Sequence, residues 1–394
     1  MKIIHIYDGH EKIYGEDGSV PKVVWNLAKQ AVLNGNDVKV IERAWNGLPE
    51  QETDSGVEFR RLDLSTGSST PWQDIPYKQV RSISGTAKLV VDRCNFAVSA
   101  YQLLRRLDYD IIHVHLPFGA NVLVTLFPWL ATNIVYTAHL GEVKDRITER
   151  RFSPDVYLAN RTARTVVLND NMKQSFINEG VNSDSLSIVP NGVDVERFRA
   201  DQALDGNPVD VLFVGTITPR KGVKELVKAV VDLEEPVRNQ MQLGLAGRTD
   251  IDEQYYAEVR SLIKQEDLVD HVNFHGFVGE AKLRSLYAEA DVFVLPSFEE
   301  GFGMVVTEAM AARTAVIGSQ VGGIPLQIHN EENGLLIPPG DIGRLSDALK
   351  DLVMSEERRK EFAAAGVSKS YDFSWETVYD SYDEIYQAVV AEKE

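Results

Sequence analysis

An apolar run, Asp291-Val-Phe-Val-Leu295, leads through Pro296, Gly301 and Gly303 into a helix predicted to begin near Met304, and this stretch constrains the chain more than any other. The run reads as a strand, and the order strand, loop, helix places the loop at the carboxyl end of a strand in an open α/β sheet, where such sheets hold ligands. Three carboxylates fall here: Glu299 and Glu300 in the loop, and Glu308 in the first turns of the helix, eight residues after Glu300. A helix start offers free N–H groups and a partial positive end suited to a phosphate, while carboxylates accept hydrogen bonds from sugar or ribose hydroxyls. Glu300 and Glu308 would also favour a helix start by charge alone, so the stretch needs the rest of the chain to decide its meaning.

The first half has the same grammar. Lys2–Tyr7 reads as a strand, the following loop carries Gly9, Gly15 and Gly18, and Ser19 is expected to cap a helix starting at Val20-Pro21. Val23, Val24, Leu27, Ala28, Ala31 and Val32 give that helix its buried face, and Asn34-Gly35 ends it. The loop lacks the G-x-G-x-x-G spacing of a dinucleotide fingerprint. Strands follow at 37–42, 57–62, 110–115, 133–137, 165–168 and 187–189, with a loop at 65–76 and a helix predicted over 86–107 whose C-terminal end carries Arg105 and Arg106. His113 and His115 lie on one face of a strand end, where local hydrogen bonding or substrate contact is preferred over a metal because no acids accompany them. His139, just beyond the carboxyl end of the next strand, is the better-placed functional candidate, with a core or capping role as its alternative. Lys144, Arg146, Arg150 and Arg151 alternate with Glu142, Asp145 and Glu149, which reads as a salt-bridged surface helix.

The polar stretch 191–208 is the expected linker, and the second half repeats the plan. Strand 209–214 enters the turn Gly215-Thr-Ile-Thr-Pro-Arg-Lys-Gly222, which leads to a helix over 223–233. Arg220 and Lys221 can neutralise a diphosphate held by the backbone N–H groups, and the turn is not a Walker loop because it lacks G-x-x-x-x-G-K-[ST]. Strands at 242–246, 271–274, 291–295 and 314–317 alternate with helices near 252–265 and 280–289, and Gly322-Gly323 and Asn333-Gly334 permit close backbone approach. The fold class expected is therefore α/β, with two Rossmann-like domains facing a deep central cleft. His139 and the loop at Gly18 belong to one wall, and Arg220, Lys221, Glu300 and Glu308 to the other.

Length and charge bound the rest. The 394 residues exceed one usual core and suit two domains of about 150–200 residues each. Lys and Arg total 41 against 59 Asp and Glu, a formal charge of −18 that disfavours general nucleic-acid binding. Cys94 stands alone, so neither an internal disulfide nor a cysteine metal cluster can form. The chain opens directly on a strand, without the pattern of a signal peptide, and its longest apolar run, 122–130, is broken by Pro128 and too short to span a membrane. A cytoplasmic protein is expected, with contact at the inner face of the membrane left open.

Five motifs spread along the chain carry a resemblance: Ser187-IVPNGVDVERF-198, Val214-GTITPRKG-222, Gly276-Phe277-Val278, Leu295-PSFEEGFGMVVTEAMA-311 and Val321-GGIP-325. Together they resemble the retaining glycosyltransferase family 4, of GT-B fold, which includes glycogen synthase- and sucrose synthase-like enzymes. The resemblance implies an acceptor-binding domain over 1–200, a nucleotide-sugar domain over 201–372 and a terminal helix, 373–394, that crosses back to the first domain. It assigns Glu300 to the donor sugar hydroxyls, Glu308 to the nucleotide ribose, Lys221 to the diphosphate and His139 to the donor sugar. Gly18 falls in a loop under the phosphates, and residues 274–278, Phe277 among them, match the segment whose backbone reads the base. Gly215, Arg220, Gly301, Phe302 and Gly303 complete the donor set. Three positions depart from the pattern: Thr216 stands where arginine is common, Asp17-Gly18 replaces a double glycine, and Leu326 replaces an acid after GGIP.

The implied reaction moves a hexosyl group from a nucleoside diphosphate sugar, a UDP-sugar by family frequency, to an acceptor hydroxyl with retained configuration. Lys221 and Arg220 would stabilise the departing diphosphate, and same-face attack would let the leaving phosphate help remove the acceptor proton. No cofactor and no essential divalent metal are implied, and the acceptor is an unidentified saccharide, small molecule or lipid-linked compound. An epimerase of the same fold, a phosphorylase and a non-catalytic sugar-nucleotide binder are the competing classes. The first needs no acceptor, the second depends on inorganic phosphate, and the third turns nothing over.

Overall fold

The computed structural model describes residues 1–13, 18–64, 83–139, 153–200 and 206–393. Two compact units result: Met1–Gly192 together with Val378–Glu394, and Val193–Thr377. The loop predicted at 65–76, the interleaved charges of 142–151 and Gly15 lie outside the described residues.

The first unit is built on an eight-stranded sheet: β1 (Lys2–Ile6), β2 (Asp37–Arg43), β3 (Gln51–Asp54), β4 (Val57–Leu62), β5 (Ile111–Val114), β6 (Ile134–Thr137), β7 (Arg164–Val167) and β8 (Leu186–Ile188). Their spatial order is β3-β4-β2-β1-β5-β6-β7-β8, all parallel except the β3–β4 hairpin. Ile3, Ile4, Val40, Ile41, Ile111, Ile112, Ile134 and Val135 are fully or almost fully buried, because a parallel sheet is covered by helices on both faces. The order reverses between β1 and β5, which makes the ends of those strands a topological switch point.

Three sequence expectations change here. Ser19 is the first residue of the helix Ser19–Leu33 and not its cap; Gly18 holds the cap position at φ 87° with no side-chain hydrogen bond. The helix expected over 86–107 spans Ile83–Leu104, so Arg105 and Arg106 follow it, in a turn where Arg106 N–H reaches the Leu103 carbonyl at 2.9 Å. Strand β3 was not foreseen.

Most of the helix Trp375–Ala391 belongs to the first unit. Its Tyr386 hydroxyl lies 2.7 Å from His113 Nδ1, its Tyr382 hydroxyl 3.1 Å from Thr137 Oγ1, and its Tyr379 hydroxyl accepts from Asn36 at 3.0 Å. These tyrosines are buried, so each phenol needs the partner it finds.

The second unit holds a six-stranded parallel sheet of β9 (Val209–Val214), β10 (Met241–Ala246), β11 (Val272–Gly276), β12 (Val292–Leu295), β13 (Ala315–Ser319) and β14 (Leu335–Ile337), in the order β11-β10-β9-β12-β13-β14. Phe213, Leu243, Phe293, Val294, Val316 and Ile317 form its core with Leu226, Val227 and Val230 of the helix Val223–Val231. Its switch point falls between β9 and β12. The loops that leave those two strands are 215–222 and 296–303, the two stretches the sequence singles out.

Candidate functional site

In the second unit the two loops are joined through their backbones. Gly222, in the left-handed region at φ 68°, passes so close to the Pro296 carbonyl that an added Cβ would sit 2.1 Å from its oxygen, and Phe298 N–H donates to the Arg220 carbonyl at 2.8 Å. This contact explains why glycine ends the turn. Lys221 Nζ consequently reaches Glu300 Oε1 in an ion pair, and Ser297 Oγ donates to the same oxygen at 2.8 Å. Both partners are largely buried, which protects the pair from screening. Arg220 is half-buried and makes no side-chain hydrogen bond or ion pair among the described residues.

Two helices begin at this place with glycine caps. Gly222 precedes Val223–Val231 and Gly303, at φ 83°, precedes Met304–Ala311; neither start has a side-chain cap. By contrast, the helices Glu253–Gln265, Ile342–Met354 and Glu356–Ser370 of the same unit are closed by Asp252, Asp341 and Ser355. At the Val223 start the Tyr255 hydroxyl accepts from Lys224 N–H at 3.0 Å, so the start after Gly303 is the better suited of the two to an anion.

Glu308 lies on the helix Met304–Ala311 and accepts from the Tyr287 hydroxyl at 2.8 Å. Burial, and then the Glu308 carboxylate, push the Tyr287 pKa well up, so it remains a donor. Buried Gln327 braces the loop: its amide nitrogen reaches the Phe302 carbonyl at 2.6 Å, and its oxygen accepts from Thr307 Oγ1 at 2.6 Å. The Phe302 ring is buried 5.2 Å from that of Phe373, so it serves packing. Gly322 lies against the Glu300 carbonyl, where an added Cβ would be 1.7 Å from the oxygen. Gly215 follows β9, with its N–H on the Ala246 carbonyl at 2.9 Å, and Gly301 lies in the loop after β12. Phe277, just past β11, is 78% exposed, which leaves a flat apolar face open beyond a strand end.

The first unit gathers histidines at its own switch point. His5 pairs in register with His113 across β1 and β5, and the alternation of β5 and β6 brings His113, His115, Thr137 and His139 to that same region. His5 Nδ1 is 2.9 Å from His115 Nε2, and His115 Nδ1 is 2.9 Å from His139 Nε2, with ring pairs tilted by only 18° and 17°. His113 stands beside this chain, with Nδ1 on Tyr386 and Nε2 on Thr137 Oγ1, each at 2.7 Å. Burial holds His5 and His139 at a pKa of about 3, and burial followed by neighbouring imidazoles depresses His113 and His115 well below the usual range. All four are neutral near pH 7.

One nitrogen from each of His5, His113 and His115 falls within 4.8 Å of the others, a spacing that bears on metal binding. Ligation needs converging lone pairs, yet both nitrogens of His113 and both of His115 already face hydrogen-bond partners. The geometry favours a hydrogen-bonded cluster. Close by, Arg43 is fully buried and holds the start of the first loop, donating to the Gly9 carbonyl at 2.9 Å while paired with Asp92 at 2.9 Å. Arg93 lies 2.8 Å from His10 Nε2, and Asp8 accepts from Gly119 N–H at 2.7 Å.

Residues 20–197 match the family described as Glycosyltransferase Family 4, and residues 194–369 match Glycosyl transferases group 1. The chain belongs to the family 4 glycosyltransferases, of GT-B fold. Among curated relatives, this glycosyltransferase is 28% identical over 381 residues to the phosphatidyl-myo-inositol mannosyltransferase of Mycobacterium leprae, covering 94% of this chain and 93% of that one. It is 25% identical over 409 residues to the D-inositol 3-phosphate glycosyltransferase of Corynebacterium diphtheriae, covering 94% and 90%. In fold it is similar to sucrose-phosphate synthase from Thermosynechococcus elongatus, with a TM-score of 0.80, 23% identity and 99% coverage of both chains. Anabaena HepE in complex with UDP and glucose matches with a TM-score of 0.72 and 19% identity, over 98% of this chain and 100% of that one.

Sequence reading of the glycosyltransferase missed Ser297, Tyr287, Gln327 and His5, all of which hold candidate residues in place. Ser297 had a signal, since it lies inside the motif that contains Glu300. The others had none, because the bonds by which they hold Glu308, the 296–303 loop and its helix, and His115 each span 20 or more positions. No helix among the described residues is long and apolar enough to cross a membrane.

Proposed function

We propose that the second unit binds a nucleoside diphosphate sugar, a UDP-hexose foremost, and that the enzyme passes the hexosyl group to an acceptor hydroxyl with retention of configuration. The Lys221–Glu300 ion pair at the β9/β12 switch point, beside two glycine-capped helix starts, is the observation that carries this reading. A diphosphate offers Lys221 more negative charge than one carboxylate does, so an arriving donor would draw Lys221 away and leave Glu300 to accept from sugar hydroxyls. Ser297 would keep Glu300 in position through that exchange.

In this reading Lys221 and Arg220 meet the charge that develops on the leaving diphosphate, helped by the N–H groups at the helix start after Gly303. Glu308, oriented by Tyr287, accepts from the ribose hydroxyls, and Gly215, Gly301 and Gly303 allow the backbone close to the ligand. Phe277 flanks the base. The first unit takes the acceptor, with His139 and the Gly18 loop as its own candidate contacts. A cytoplasmic location belongs to the same proposal.

HepE has been crystallised with UDP and with UDP-glucose, which supports a uridine nucleotide here. The names of both curated relatives above place their chemistry on an inositol bearing phosphate, so a phosphorylated cyclitol is the first acceptor to test. Incubation with UDP-glucose and D-inositol 3-phosphate should release UDP and form a glycoside whose anomeric signal matches that of the donor. An inverted product would sink retention, and conversion of the nucleotide sugar without an acceptor would favour an epimerase.

A further inference from the structure

The chain of imidazoles in the first unit has a direction that the two ends decide. His5 Nε2 and His139 Nδ1 are the terminal nitrogens, and both are buried without a hydrogen-bond partner among the described residues. If each ring is protonated on Nδ1, His5 donates to His115, His115 donates to His139, and His139 ends with an N–H. If each is protonated on Nε2, the order reverses and the unsatisfied N–H lies on His5. Orphaned N–H groups are rarer in protein interiors than under-used acceptors. His5 is fully buried in β1, at 0% exposure, whereas His139 lies past the end of β6 and is half-buried, so its Nδ1, though itself covered, belongs to the ring that a ligand can approach. The donor belongs at the end where a ligand can satisfy it.

We propose that His115, backed by His5, is a positioning residue that fixes His139 in the Nδ1–H tautomer, so that His139 presents a single N–H donor to an oxygen of the substrate. This deepens the functional reading above and rests on its assignment of His139. The ligand chemistry it selects is an oxygen acceptor, a sugar hydroxyl or a phosphoryl oxygen. Free imidazole nitrogens otherwise choose freely between donating and accepting. His113 does not join the chain, because its nitrogens face Tyr386 and Thr137.

The test is nitrogen NMR on the full chain labelled with 15N-histidine near pH 7, assigned with single His5→Gln, His115→Asn and His139→Gln variants. The proposal predicts pyrrole-type Nδ1 and pyridine-type Nε2 signals for His5, His115 and His139. A pyrrole-type Nε2 on His139 overturns it. As a functional arm, cleavage of UDP-glucose is followed in His115→Leu and His115→Asn, with melting curves confirming that both fold. Asparagine can place an N–H where His115 Nδ1 stands. The leucine variant should lose about tenfold in kcat with donor KM little changed, the size expected for one lost hydrogen bond, and asparagine should restore most of it. Equal losses in the two folded variants would count against a donating role. Unchanged cleavage in His139→Ala would remove the reading of His139 on which the proposal rests, while the NMR result would still report the tautomer of the chain.

Discussion

Lys221 and Glu300 in the second unit form an ion pair, whereas the four clustered histidines of the first unit remain uncharged because burial strips the proton away. Both groups lie at the switch point of a parallel sheet, so the fold offers the same position twice. The residues placed there differ in what they can do. A charged pair can exchange partners with a diphosphate and stabilise a leaving group, while a neutral imidazole chain can only aim donors and acceptors.

The largest effect should fall on the charged side. Lys221→Ala and Glu308→Ala are each expected to cut cleavage of UDP-glucose by about 100-fold or more, with melting temperatures close to the parent. Normal turnover in both would remove the site assignment.

Acid should break the neutral side first. The folded pKa values of His5 and His139 are about 3, against about 6.5 in the unfolded chain, so below pH 6.5 the unfolded state binds the extra protons. Stability is therefore full above that pH and falls as pH drops toward 3, by about 1.4 kcal/mol per pH unit for each such histidine. Urea titrations between pH 7 and 4 measure this slope. If His5→Gln and His139→Gln show the same slope as the parent, the depressed values are wrong.

Smaller changes sharpen the contrast. Tyr386→Phe takes the hydroxyl from His113 and should cost about 1 kcal/mol in urea unfolding, without a change in donor binding. Replacing Glu299 should matter less for UDP-glucose cleavage than replacing Glu300, which holds Lys221. A chelator should leave most activity, because Lys221 and Arg220 are assigned the charge neutralisation; complete loss reversed by magnesium would overturn that assignment.

The contrast also marks what the sequence made legible. Strands such as Val292–Leu295 are short apolar runs because both faces are covered, so most of the sheet could be read directly. Gln51–Asp54 was not readable: it is a polar edge strand with alternating exposure, recognisable only through its pairing with β4. Likewise Ser19 has the composition of a cap, but the left-handed Gly18 before it takes that position. Lys221, Glu300 and Glu308 could be singled out as candidates because they stand in or next to short charged loops whose chemistry is local in sequence. The imidazole chain was not, since His5 looks like any strand residue and meets His115 across 110 positions. Packing decided its role, and packing is not written locally.

The central claim is that the paired charges of the second unit form a nucleotide-sugar site. Its most direct test is thermal stabilisation of the purified protein by uridine, guanosine and adenosine diphosphates and their sugar conjugates, repeated on Lys221→Ala and Glu308→Ala. Selective stabilisation by one nucleotide and its sugar, UDP foremost, that is lost in both variants is the result predicted. Stabilisation that survives both substitutions unchanged, or no response to any of these ligands, would contradict it.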